Sequence, residues 1–439
     1  MRRAGVVLAA CVASIAGAIA LGPGCTRDPG DTLRFMIWGS PEEIAVVGGF
    51  LDEFRRQNPD IQVRVEHAPS MGYREKLRIL FLGGNPPDVM YLGESDLPTF
   101  ARKGWLLNLD PFIERDRAEV EPEDFYTPVF ARFRTDQGTF GISKDFASLV
   151  LYYNKDLFDK WDVPYPKPGW TWEDFLDTAK RLTHRTEQGQ DYGFLLETWN
   201  EELFPWIWQA GGEVASEDPP AWLSGRPEHI DACAEALQFL SDLIWKHRVA
   251  PGPAVTKDQQ GNALFLRGQA AMCTYGRWAC MEFRKIKDFD WGVVELPRHR
   301  RRASTLFTVA YSIARDTRRP EAAWKLVKFL TGKQAQLEVA HSAQAIPARR
   351  SAATSPAFES PRAFAALGYP VASRPHTDAV AYGRFSPRFP GAAEAKDVFN
   401  RGLEPLWSAK DPRRRDARKL LLELQPRLEA IVAEHAAAE

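Results

Sequence analysis

The chain has 439 residues, and its 57 Lys plus Arg against 58 Asp plus Glu leave a formal charge of −1. So even a balance excludes the electrostatic footprint of a nucleic-acid binder or of a protein built for a polyanionic partner. Five cysteines exclude a disulfide scaffold, while the length and the 44% apolar content allow large cores, in two lobes rather than one.

The first segment is "MRRAGVVLAACVASIAGAIALGPGC". Arg2 and Arg3 precede an uncharged apolar run, Ala4 to Leu21, and small residues lead to Cys25. This pattern reads as a secretory signal. The run is also about as long as a minimal spanning helix, so a retained anchor is the competing reading. Cys25 favours the signal, because a cysteine closing such a run resembles a bacterial lipoprotein signal, cut just before a lipidated cysteine. Residues 1–24 are therefore assigned to a signal peptide, Cys25 to lipidation and residues 25–31 to a short tether. Loss of Arg2 and Arg3 would leave a charge of −3 on the mature chain. Of the remaining cysteines, Cys233, Cys273 and Cys280, at most two can pair; Cys273 and Cys280 are either small packing residues or a bridge.

Leu33, Phe35 and Ile37 alternate as a strand. In "WGSPEEIAVVGGFLDEFRRQNP", Ser40 is an N-cap, Pro41 suits the first helical position and Glu43 completes a capping box. Ile44, Val47, Leu51 and Phe54 share one helical face, and Asn58-Pro59 ends the helix. Ile61, Val63 and Val65 predict a second strand, Tyr73 to Leu82 a second helix, and "PPDVMYLG" a short buried strand. Strand, helix, strand, helix, strand argues for a parallel α/β sheet with right-handed crossovers.

Extended segments follow around Phe140-Gly141 and Leu149 to Tyr153. In "GWTWEDF", Thr171 caps a helix with Asp174 three residues on, and Trp170 and Phe175 form a hydrophobic staple. Further helices are predicted at 229–247, beyond Pro320, and at 411–439. The basic run Arg298 to Arg302 reads as a solvated loop.

Catalytic motifs are missing. Gly141-Ile142-Ser143-Lys144-Asp145 fails the nucleophile pattern at its last position, and "TGKQ" lacks the glycine and hydroxyl residue of a phosphate loop. His229 and Cys233, four apart on a predicted helix, lack further metal ligands nearby, and neither metal nor cofactor is expected. Glu201-Glu202 could be a glycosidase pair, but adjacent residues do not face each other. The 14 Trp are more informative. Trp38 follows the first strand, Trp199, Trp206 and Trp208 cluster before Gly211-Gly212, and Trp278 follows Gly276 at the end of an apolar strand. Aromatic faces pack on the C–H faces of sugar rings while polar groups bond the hydroxyls, as a small-molecule cleft requires. Core packing is the competing reading for each Trp.

From "LRFMIWGSPEEIAVVGGFLDEFRRQNPDIQVRVEHAP" through "GGNPPDVMYLGESDLPTFARKGWLLNLDPFI", "FGISKDFASLVLYYNKDLFDKWDVPYPKPGWTWEDF", "WQAGGEV", "FLRGQAAMCTYGRWAC" and "AAWKLVKFLTGKQAQ" to "AIPARRSA", the chain resembles the family-1 extracellular solute-binding proteins, the sugar-binding components of bacterial ABC importers. The resemblance implies an α/β, two-lobed fold of the type II periplasmic-binding-protein kind, with discontinuous lobes and a central ligand cleft. It places residues 32–145 plus about 306–352 in the first lobe and 146–305 plus about 353–439 in the second. It implies no catalysis, a carbohydrate ligand (a mono- or oligosaccharide) or a related polyol, ABC permease subunits as partners, and a monomer lipid-anchored in the cell envelope. Trp38 matches the aromatic after the first strand, Asp145 the polar residue before "YYN", Gly276-Arg277-Trp278 the loop presenting an aromatic to the ligand, and Tyr311 the return to the first lobe. With neighbouring polar and aromatic residues, the candidate ligand contacts are Trp38, Ser40, Glu94, Asp145, Trp199, Asn200, Arg277, Trp278 and Tyr311. The rival of another class, a secreted glycoside hydrolase, would need two carboxylates facing each other roughly 5 to 9 Å apart. A third reading is a receptor that presents its closed form to a membrane sensor. Residues 353–400 do not align with the pattern.

Overall fold

A computed structural model describes residues 32–437 other than 188, 218, 224–226, 253–254 and 256–260. The signal segment, the tether and Cys25 lie outside the described residues. The first part alternates as its hydrophobic periodicity requires: β1 (Thr32–Ile37), α1 (Pro41–Gln57), β2 (Gln62–His67), α2 (Ser70–Leu82), β3 (Val89–Gly93). The capping box forms at the start of α1, where the Ser40 amide donates to the Glu43 carboxylate at 2.7 Å and the Ser40 hydroxyl accepts from the Glu43 amide at 3.3 Å. α2 starts three residues earlier than its apolar spacing suggests, and its first turn is broken by Gly72 at φ +86°.

β1 pairs in parallel with both β2 and β3. The remaining strands of this sheet come from much later in the chain. β4 (Ile142–Ser148) continues through Leu149 into β5 (Val150–Asn154), and β8 (Ser304–Ile313) lies antiparallel between β3 and β4. With β9 (Ile346–Pro347) beside β4, six strands stand in the order β9-β4-β8-β3-β1-β2, and a seventh, β10 (Gly383–Phe385), pairs with the start of β8 off this path. A second, antiparallel sheet has β5 between β6 (Met272–Tyr275) and β7 (Trp291–Val294).

Two apolar cores follow from this wiring. One draws on residues from Leu33 to Ile142 and from Ala310 to Ala348. The other draws on residues from Leu149 to Ala303 and from Phe389 to Val432. The second core holds α3 (Trp172–Arg181), α4 (Asn200–Gln209), α5 (Pro227–Trp245), α8 (Ala392–Ser408) and α9 (Ala417–Ala437); α6 (Pro320–Leu330) and α7 (Lys333–Ser342) return to the first. α3 carries the expected cap, with Thr171 and Asp174 bonded reciprocally at 2.8 and 3.2 Å and Trp170 edge-on to Phe175 at 5.8 Å. α9 begins later than 411, because Asp411 instead caps a short turn at Pro412–Arg414, accepting from the Arg413 amide at 3.0 Å.

Residues 353–371, which the sequence left unplaced, pack at the junction. Phe358 joins Val129 and Phe146, while Phe364 and Val371 join Phe283 and Trp291. The basic run is an exposed loop, as its composition suggests, and its arginines are tied to the second lobe. Arg298, Arg300 and Arg301 donate to the carbonyls of Gly169, Ala210 and Trp208, and Arg302 pairs with Glu295. Cys233, Cys273 and Cys280 are buried and unbridged, small side chains in packed surroundings.

Candidate functional site

β8 touches both cores, Phe307 packing against the second and Val309 against the first. Along it, Phe307 and Val309 are partly exposed while Leu306, Thr308 and Ala310 are buried. Residues two apart share a strand face, so Phe307 and Val309 form an accessible strip between the lobes.

The second lobe adds two tryptophans to Phe307. Trp199, extended just before α4, lies 5.6 Å from it, and Trp278, in the turn after β6, meets it edge-on at 5.3 Å. Both indoles are partly exposed, whereas Trp206 and Trp208 are core residues. Gly276 has an ordinary extended backbone, φ −78° and ψ 175°. The residue is small for a different reason: a Cβ there would stand 1.9 Å from Cζ3 of Trp278.

The first lobe adds Trp38, edge-on to Tyr73 at 4.6 Å and to Tyr91 at 5.1 Å. Tyr311 is fully buried behind this wall, 5.5 Å from Tyr91. Beside it the ladder between β4 and β8 slips. Val309 faces Asp145 and Ala310 faces Ser143, which leaves Lys144 unpaired in a bulge. A bulge re-aims side chains that a regular strand would send to opposite faces. Here the Lys144 ammonium pairs with Asp145 and sits 5.2 Å from the Tyr91 ring centre. Trp38, Tyr91, Lys144 and Asp145 therefore gather at one place. Lys144 was missed in the sequence because nothing local marks the bulge.

Charged groups continue the site. Glu94, just past β3, accepts from Arg132 Nε at 2.8 Å, and Arg132 also reaches Glu217 at 3.1 Å. Burial, opposed by Arg132, pushes the Glu94 carboxyl up to about 7; burial, opposed by Arg74, pushes Asp96 up to about 6. Both groups bind a proton more tightly in the fold than when unfolded, so the penalty their charged forms impose near neutral pH is relieved progressively as pH falls from about 7 toward their ordinary values. Against the cost of its own burial, Lys396 on α8 is held charged by Glu201, Glu94 and Asp96.

Other expected contacts have different work. The Ser40 hydroxyl caps α1. Asn200 donates to the Lys396 carbonyl at 3.0 Å. Arg277 departs furthest from expectation: its guanidinium is buried, 4.1 Å from the Phe358 ring centre, and donates to Ser373 Oγ at 3.1 Å. With Trp278 at the strip and Arg277 on the junction segment, adjacent residues tie the cleft to the 353–371 stretch. The two acids Glu201 and Glu202 diverge: Glu201 turns to Lys396 and Ser386, Glu202 to Thr274. Among the described residues no three potential ligands group to hold a metal ion.

A crossing strand, two cores and an aromatic, charge-edged strip between them define a class. The chain belongs to the bacterial extracellular solute-binding protein family, which matches residues 40–337. A galactooligosaccharide-binding protein of Bacillus subtilis is 24% identical over 341 residues, covering 74% of this chain and 75% of the relative. A putative binding protein of Brucella abortus is 23% identical over 380 residues, covering 84% and 87%. Among solved structures, an ABC substrate-binding protein from Listeria monocytogenes in complex with cycloalternan superposes with a TM-score of 0.81 at 24% identity, covering 92% of this chain and 99% of that one. The maltose-bound MalE3 of T. maritima gives 0.75 at 24% identity, with 91% and 99% covered. The fold is that of the two-lobed type II periplasmic binding proteins.

Proposed function

We propose that the chain is the carbohydrate-binding component of an ABC importer, taking a mono- or oligosaccharide between its lobes and delivering it to the permease. One observation carries this reading: Trp199 and Trp278 both meet Phe307 on the crossing strand, and Trp38 meets Tyr91, over which Lys144 sits with Asp145. Apolar faces with a paired donor and acceptor suit rings that are apolar on their faces and hydroxylated at their edges. The sugar ligands in the names of relatives and structural neighbours support it. In this reading the chain passes between lobes near 142–148 and 302–312, and bending there opens and closes the cleft.

Heating the mature chain with a panel of sugars is the direct test, since a ligand at a hundred times its Kd adds about 2.7 kcal/mol of stability. One structural class of sugar should raise the melting temperature by several degrees. If no sugar on a broad panel does so, the reading fails. Release of reducing ends from a bound sugar would move the assignment to a hydrolase, against which the divergence of Glu201 and Glu202 argues.

Cys25 is proposed as the lipidated residue, holding the protein at the cell envelope. Among the described residues, no helix is long and apolar enough to cross a membrane. Cys25→Ser should abolish incorporation of labelled lipid into the full-length protein and leave its signal unprocessed. Unchanged lipid labelling and processing would rule the assignment out.

A further inference from the structure

Outside the aromatic walls, charged side chains of the two lobes meet with alternating sign. The first lobe offers Glu42 in the first turn of α1, Arg74 on α2, and Glu94 and Asp96 beyond β3. The second offers Lys285, just past the helical turn Cys280–Phe283, and Lys396 and Asp397 on α8. Lys285 donates to Glu42, and Arg74 lies 3.6 Å from Asp397. Lys396, paired within its own lobe to Glu201 and partly buried, lies in the field of Glu94 and Asp96 of the other.

Two features set these contacts apart from ordinary surface pairs. Each lobe supplies both a cation and an anion, so the pairing fixes how the lobes meet rather than merely drawing them together. Several members also keep a partner at home: Arg74 has Glu75 and Asp96, Lys396 has Glu201, and Glu94 has Arg132. Separation of the lobes therefore strands none of these three in a dry site, the condition that makes breaking a buried pair costly. In the peripheral pairs Lys285 and Asp397 are about half exposed and Glu42 and Arg74 about a third, so each pair is individually weak. We propose that Glu42–Lys285 and Arg74–Asp397, around Lys396, form a reversible cross-wired latch that biases the lobes toward the closed arrangement. It is strong enough to shift the balance and weak enough to be undone, and it does not depend on which solute the protein takes.

The test uses the ligand-free mature chain in small-angle X-ray scattering at about 0.05 M salt, where exposed pairs are little screened. Lys285→Glu combined with Asp397→Lys turns both pairs into like charges. This variant should shift the closed-to-open ratio about tenfold toward open and enlarge the radius of gyration. Adding Glu42→Lys and Arg74→Glu restores opposite signs and should return the wild-type radius. About 0.5 M salt should move the wild type part of the way toward the open value. Should the reversal fail to fold by circular dichroism, Lys285→Gln with Asp397→Asn gives the same direction at smaller amplitude. A wild-type radius in the reversed or neutralised variant overturns the latch, and so does an opening that the fourfold swap fails to undo.

Discussion

Trp278→Ala should lose about 30- to 1,000-fold in sugar affinity and keep most of its unligated melting temperature. The magnitude follows from an aromatic hot spot worth about 2 to 4 kcal/mol. The separation of affinity from stability follows from placement. The indole is partly exposed, its edge-on neighbour Phe307 is partly exposed, and Gly276 is kept small so that the ring can lie against the backbone. Removing the ring therefore opens no sealed cavity. Calorimetric titration with whichever sugar raises the melting temperature measures the loss. Strong destabilisation with affinity intact would make Trp278 a core residue.

Arg349→Met should act the opposite way, lowering stability by about 3 kcal/mol and the melting temperature by about 5 to 10 °C, with sugar affinity unchanged. Arg349 is only 1% exposed. Its Nε donates to the Thr331 carbonyl and its Nη2 to the Val120 carbonyl, each at 2.8 Å, while Nη1 reaches Asp124 at 3.3 Å. A methionine fills much of the volume but leaves two carbonyls and a carboxylate short of a donor. Lysine should rescue little, since one ammonium cannot span three acceptors fixed for a planar fork. The loss sits toward the low end for a broken buried pair because Asp124 keeps its bonds to the Ser351 amide and hydroxyl. A melting temperature within about 1 °C of wild type would show that the network is dispensable.

The sequence was legible where the physics is local. Ser40 and Glu43, or Thr171 and Asp174 with Trp170 and Phe175, settle their helix starts within a few residues, and the structure forms both boxes. Trp38, Trp199 and Trp278 could be placed at turns because apolar strands or caps adjoin them. The site was illegible where it depends on distant register. Lys144 becomes a cleft residue only because β8, about 160 residues later, pairs out of step with β4. Arg277 looked like a polar neighbour of the displayed indole; its partners Phe358, Phe364 and Ser373 come from a stretch with no readable pattern. Likewise, Glu94 lies in the field of Lys396, on a helix some 300 residues away.

The position of β8 also governs when the protein can fold. In the finished sheet it separates β3 from β4, yet Ile313 pairs with Val89 and is synthesised about 220 residues after it. At about 5 to 20 residues per second, the first half of the chain waits roughly 10 to 40 s for the strand that completes its sheet. Until then the nascent polypeptide exposes β3 and β4 as unpaired edges and has no closed core to lock it. Pairings this distant are also slow to form once available. A chain wired this way cannot close its first sheet while it is being made, and for that interval the edges of its early strands lie open to pairing with other chains.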